Sequence, residues 1–238
     1  MFIGAMVAAG ASATAYVAFY SHLWHPYFSL TVLVLAAVTS RMKVKLPAID
    51  SNMSVNLPFL LTAIVNLSAA EAIAIACVST VVQCWPKKDV GLKLEQMMFN
   101  VSMMALATST ADLVFHAAWS QGVPWSMPLA LAFSTVALLL GQTVSVAAIV
   151  AISEHKSPAL LWSNLFELSF PYYVVGAGIT SMLQTIGTRA GWPLALMVFP
   201  VMYAVHRSYR LYFGKMMERT PAETPQARVL VKAAASGV

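Results

Sequence analysis

Charge is what this chain has least of. Only 10% of its 238 residues are Asp, Glu, Lys or Arg, where soluble domains carry about 25%, and the mean hydropathy is +0.74. An ordinary soluble domain is excluded. Cysteine is nearly absent too: Cys77 and Cys84 lie in one apolar run, so they stack on one helix face about 10 Å apart, too far for a bridge. The sequence has no glycine-rich phosphate loop, no HExxH, no GxSxG and no paired aspartates at metal-binding spacing. It is therefore expected not to be an enzyme. No Lys or Arg precedes the first apolar run, MFIGAMVAAGASATAYVAFY, which reads as a retained span rather than a secretory signal. The alternating pattern of a membrane barrel is also missing.

What remains is a series of long apolar runs, at about 2–20, 27–40, 54–85, 94–119, 127–153, 159–186 and 191–213. The fold class expected is an all-α polytopic membrane bundle, with one integral domain over 1–214 and a flexible cytoplasmic tail over 215–238. Thr220-Pro221 and Thr224-Pro225 end any helix that leaves the membrane. The run from Ser54 to Trp85 is the ambiguous one. One span needs roughly 20 residues, and this stretch is too long for one straight helix and too short for two full ones.

Charge placement resolves it. Arg41, Lys43 and Lys45 precede this run, and Lys87, Lys88 and Lys93 follow it. A single crossing would put these two basic loops on opposite sides, whereas two crossings put all Lys/Arg-rich loops and both termini on one side, the cytoplasmic one. Trp24, Trp119, Trp125 and Trp192 then share the outer interface. The break is expected at Asn66-Leu67-Ser68, where Ser68 caps a second helix and Glu71 stands at the third position of a capping box. Each half is either a short tilted span or one arm of a re-entrant hairpin enclosed by the other helices. That makes about eight membrane segments.

The net charge of +5 is spread in short groups at run ends, which points to anionic lipid and not to nucleic acid. Arg207, Arg210, Lys215 and Arg219 form a juxtamembrane cluster suited to lipid or to a protein partner.

Three stretches carry a family resemblance: RMKVKLPAIDSNMSVNLPFLLTAIVNLS at 41–68, MMFNVSMMALA at 97–107 and FPVMYAVHRSYRLYFGKMMER at 199–219. They resemble the membrane-embedded N-terminal sensor regions of bacterial cyclic-di-GMP signalling proteins, in which the last span exits through a Tyr/Arg-rich run into a diguanylate cyclase or HD-type phosphodiesterase domain. The run from His206 to Tyr212 occupies that place here. The resemblance implies stimulus sensing, and without an output domain in cis it implies a partner in trans. A polar, strand-like lead followed by two short helices is also similar to the substrate-binding components of energy-coupling-factor vitamin transporters. A transporter component, or an accessory subunit of a larger membrane complex, is the alternative role.

Polar groups inside spans are costly, so they are the functional candidates. Asn100, Gln142, Asn164, Glu167 and Tyr172 could line a cavity for an unknown small molecule or proton, or simply bond neighbouring helices. Pro171 marks a kink beside them, and Gly176 and Gly178 suit close helix packing. On the outer side, His22, His25, Asp112 and His116 offer ligands for Zn or another divalent metal, or two His for a haem. The alternative is interfacial histidines packed beside tryptophan. No cofactor follows from the spacing. Cysteines introduced at positions 53 and 68 test the hairpin with impermeant thiol reagents: a two-pass form labels at 53 from the cytoplasm and at 68 from outside. Equal labelling from the cytoplasm alone leaves only a shallow re-entrant form.

Overall fold

The computed structural model describes residues 2–20, 26–45, 52–54, 56–85, 94–119, 126–155 and 157–190, together with residues 200, 203, 204, 207, 208 and 211. Among the described residues the helices are α1 (Phe2–Tyr20), α2 (Pro26–Ser40), α3 (Leu57–Asn66), α4 (Ala69–Cys84), α5 (Leu94–Trp119), α6 (Ser126–Glu154) and α7 (Pro158–Ala190). The fold is helical. Two helices, α5 over Leu94–Ala117 and α6 over Met127–Ser153, are long and apolar enough to cross a membrane. The last expected span, 191–213, lies almost wholly outside the described residues.

The polar, strand-like lead expected before the two short helices is a hairpin: β1 (Lys43–Lys45) pairs antiparallel with β2 (Asn52–Ser54), with Lys43 opposite Ser54 and Lys45 opposite Asn52.

The run from Ser54 to Trp85 is broken where the capping signal lies. α3 ends at Asn66 and α4 begins at Ala69. At 10 residues, α3 extends only about 15 Å. It is also the most enclosed element, with Leu57 to Leu61, Ala63 and Ile64 all buried. α2, α4 and α7 pack around it. α5 is the second organising element, flanked by α1, α4 and α6. The core joins Leu60, Leu61 and Ile64 of α3, Ala72 and Ala76 of α4, Met103, Ala107 and Ala111 of α5, Leu138 and Leu139 of α6, and Tyr172 and Tyr173 of α7.

α7 runs unbroken through Pro171, although proline withholds the N–H that the carbonyl of Glu167 would otherwise accept. The chain reverses between α6 and α7 at His155, whose φ of 54° is the left-handed conformation common after a helix end.

Small residues set two of the spacings. A Cβ at Gly10 of α1 would lie 2.9 Å from the Ser102 Cα of α5, and one at Gly176 of α7 would lie 2.6 Å from Leu57 Cδ2. Gly178, by contrast, faces open space. Gly10→Ala must push α1 off the α5 backbone and is expected to cost about 1–3 kcal/mol, read as a lower unfolding temperature in detergent. Gly178→Ala, free of any clash, leaves stability unchanged or raises it by up to about 1 kcal/mol through helix propensity.

Candidate functional site

A helix as short and as buried as α3 starts with polar backbone groups that have no water to receive them, while Asn66 at its far end is exposed. Side chains from α2, α4 and α7 meet its start and the turn that follows it. At the break, Ser68 is the N-cap of α4 with extended φ and ψ of −68° and 153°, and Glu71 completes the capping box. Glu71 Oε2 accepts from the Ser68 N–H at 3.1 Å and from its hydroxyl at 2.7 Å. The Glu71 Oε1 atom accepts a short hydrogen bond from the Ser29 hydroxyl of α2. Glu71 is 6% exposed, so this carboxylate is a buried tie between α2 and the α3–α4 turn. The preceding turn is closed by Leu67 N–H donating to the Ala63 carbonyl at 2.9 Å.

At the other end of α3, Pro58 removes one orphan donor at the first turn. The Leu57 N–H donates to the Tyr172 hydroxyl of α7 at 3.2 Å. Thr180 of α7 lies 3.2 Å from the Pro58 carbonyl and 3.0 Å from that of Gly176, both within reach of its one proton. Asn56 Nδ2 donates to Ser79 Oγ of α4 at 3.3 Å. α4 ends under Arg41, whose Nη1 donates to the Val82 and Trp85 carbonyls at 3.2 and 3.3 Å, a cation where a helix C-terminus favours one.

The residues expected to line a cavity take different positions. Tyr172 is buried and holds the start of α3. Asn100 is half-buried on α5 and donates to Cys84 Sγ at 3.4 Å, at the last residue of α4. Gln142 is half-buried on α6. Asn164 and Glu167 are exposed on α7, on the side of Leu160, Phe170 and Val174, while Leu161, Leu165, Tyr172 and Tyr173 occupy its buried side. Glu167 and Tyr172 therefore do not share one interior wall. Their separation is a matter of helix rotation, to which a run apolar on all sides gives no sequence clue.

Of the outer-side metal candidates, His22 and His25 lie outside the described residues. His116 Nδ1–H donates to the Asp112 carbonyl at 2.9 Å and stands 3.5 Å from its carboxylate Oδ1. Among the described residues no three His, Cys, Asp or Glu side chains gather as a metal set would. Arg207 is exposed, and Arg210 and Lys215 lie outside the described residues. The contributions of Ser29 and Thr180 went unforeseen in the sequence, because a lone hydroxyl in an apolar run has many possible partners.

Comparison of the chain with protein families, with curated proteins and with solved structures finds no match.

Glu71→Ala strands the Ser68 and Ser29 donors together, and is expected to destabilise the fold by about 2–4 kcal/mol. Ser29→Ala removes one donor of that set and is expected to cost about 1 kcal/mol. Thermal unfolding in detergent, with the two substitutions compared in the same background, checks the order.

Proposed function

We propose that this chain is a polytopic membrane protein of about eight segments, held in a bacterial inner membrane with both termini cytoplasmic. It works as a non-enzymatic sensory or small-molecule-binding module that acts through a protein partner. Lipid contact is supported by the exterior. Phe19, Tyr27, Leu113, Phe133 and Leu160 are all exposed. Exposed hydroxyls turn back on their own helices: Ser12 donates to the Ala8 carbonyl, Thr31 to Tyr27, Thr110 to Leu106 and Thr185 to Ser181. Self-satisfied hydroxyls are what a hydrocarbon surroundings demands.

The observation that carries the partner is the outer side of α7. There Asn164 and Glu167 stand exposed in the company of Leu160, Phe170, Val174 and Met182. Pro171 on the same side frees the Glu167 carbonyl as well, so this apolar side presents two unusual acceptors close together. A carboxylate facing lipid carries a penalty of a few kcal/mol or more, and a partner helix bringing a basic or amide side chain relieves it. The juxtamembrane Arg207 lies on the same expected cytoplasmic side and suits anionic lipid.

One observation favours a second role, that of a transporter's substrate-binding component: the β1–β2 hairpin leads directly into the two short helices α3 and α4. Uptake of a labelled vitamin that depends on an energising partner would select it.

A photo-crosslinking residue at Val174 is expected to give one discrete adduct in membranes of the native host. Glu167→Gln reduces that adduct about tenfold or more, equivalent to one lost charge-assisted hydrogen bond. A crosslinker at Leu113 of α5 serves as the control. An unchanged adduct in Glu167→Gln sinks the role given to this carboxylate.

A further inference from the structure

Several hydroxyls of α5 and α6 bond back within their own helix. Ser109, Thr110, Thr135 and Thr143 each donate to the carbonyl four residues back, at 2.7 to 2.9 Å. Thr108 does not, although it is completely buried, and its Oγ1 has no hydrogen-bond partner. One turn further along α5, Asp112 is 6% exposed, and its Oδ1 is also without a hydrogen-bond partner. No other buried side-chain oxygen or nitrogen among the described residues is left so. Residues four apart project from the same helix face with Cβ atoms about 6 Å apart.

The neighbouring groups relieve the carboxylate only in part. His116 stands 3.5 Å from Oδ1, but its Nδ1–H is directed to the Asp112 carbonyl at 2.9 Å. The elements packed on α5 are α1, α3, α4 and α6. α1 carries only tyrosines and α3 no ionisable group. α4 brings Glu71, whose two oxygens are engaged by Ser29 and Ser68, and the thiols Cys77 and Cys84. On α6 the hydroxyl of Ser134 donates to the Ala111 carbonyl at 2.9 Å. The acid of α6, Glu154, is 20 residues further on, about 30 Å by helical rise. A buried carboxylate oxygen and a hydroxyl oxygen thus share one face with no hydrogen-bond donor among the described residues, and the one group at ion-pair distance is His116, a cation only when protonated.

We infer that Thr108 and Asp112 form an interior site for one small positive charge, either a sodium ion or a proton. Carboxylate and hydroxyl oxygens are the ligands that a hard cation takes. For a proton the same pair supplies an acid, with the hydroxyl as the group that accepts from it or donates to it. His116, with 53% of its side chain exposed one turn beyond Asp112, provides the route from the outer end of α5. The site is independent of the α7 surface, which lies on another helix.

The test uses the purified full chain in detergent. Unfolding temperature is measured against sodium chloride, with choline chloride holding the ionic strength, and again across pH in choline alone. A saturable rise with sodium that Asp112→Asn abolishes identifies a cation site. A response to pH alone, lost in Asp112→Asn and accompanied by a protonated-carboxyl infrared band that the same substitution removes, identifies a proton site. In either case Thr108→Val, an isosteric change, weakens the apparent affinity about tenfold and keeps the question decidable if Asp112→Asn does not fold. The proposal is overturned if wild type and Thr108→Val respond identically, or if neither sodium nor pH moves the unfolding temperature through Asp112.

Discussion

A short helix buried along most of its length must have the backbone groups at its ends satisfied by other parts of the chain. α3 is such a helix, and the arrangement around it follows from that need. Pro58 has no N–H to place, the Leu57 N–H is met by the Tyr172 hydroxyl, the Pro58 carbonyl takes a further contact from Thr180, and the turn at the far end is tied by Ser68, Glu71 and Ser29. The partners come from α2, α4 and α7, so one requirement positions those three helices together. Losing a partner leaves a polar group with nothing to bond, at a cost of about 1–3 kcal/mol each.

The same accounting separates the interior from the exterior. Outside, hydroxyls are satisfied within their own helices, which leaves apolar side chains free to meet any apolar surroundings. Inside, buried hydroxyls such as Ser109 and Thr135 do the same, and some polar atoms also bond between helices, as Asn56 does with Ser79 and Trp162 with Thr143. Two places escape this economy. One is the outer side of α7, where Glu167 stands in an apolar company, and the other is the Thr108–Asp112 face of α5. Groups that a fold leaves uncompensated are where an external ligand, ion or partner has a free-energy gain to make.

Much of the chain's organisation was legible without coordinates. The bounds of α1 and α5 follow from where polar and basic residues interrupt apolar runs, and the break at Asn66 to Ser68 follows from a local capping chemistry that needs only four consecutive positions. The strand-like character of the lead before α3 was legible, but its pairing as the β1–β2 hairpin was not, because three residues per strand fix no register. Nor was the side of α7 on which Glu167 stands. The hydrophobic pattern of these helices is nearly uniform around the axis, so the sequence contains little that distinguishes a lipid-facing stripe from a core-facing one.

What the sequence by itself determined is the helical class, the places where helices start and stop, and the presence of costly polar groups within apolar runs. These are local properties, decided by composition and by backbone chemistry over a turn or two. Only the tertiary structure decided which polar groups meet. Ser29 reaches Glu71 across 42 positions and Leu57 reaches Tyr172 across 115, while the Thr108 hydroxyl and Asp112 Oδ1, four apart, find no hydrogen-bond partner. Helix rotation and crossing set those outcomes, and they depend on the packing of the whole chain at once.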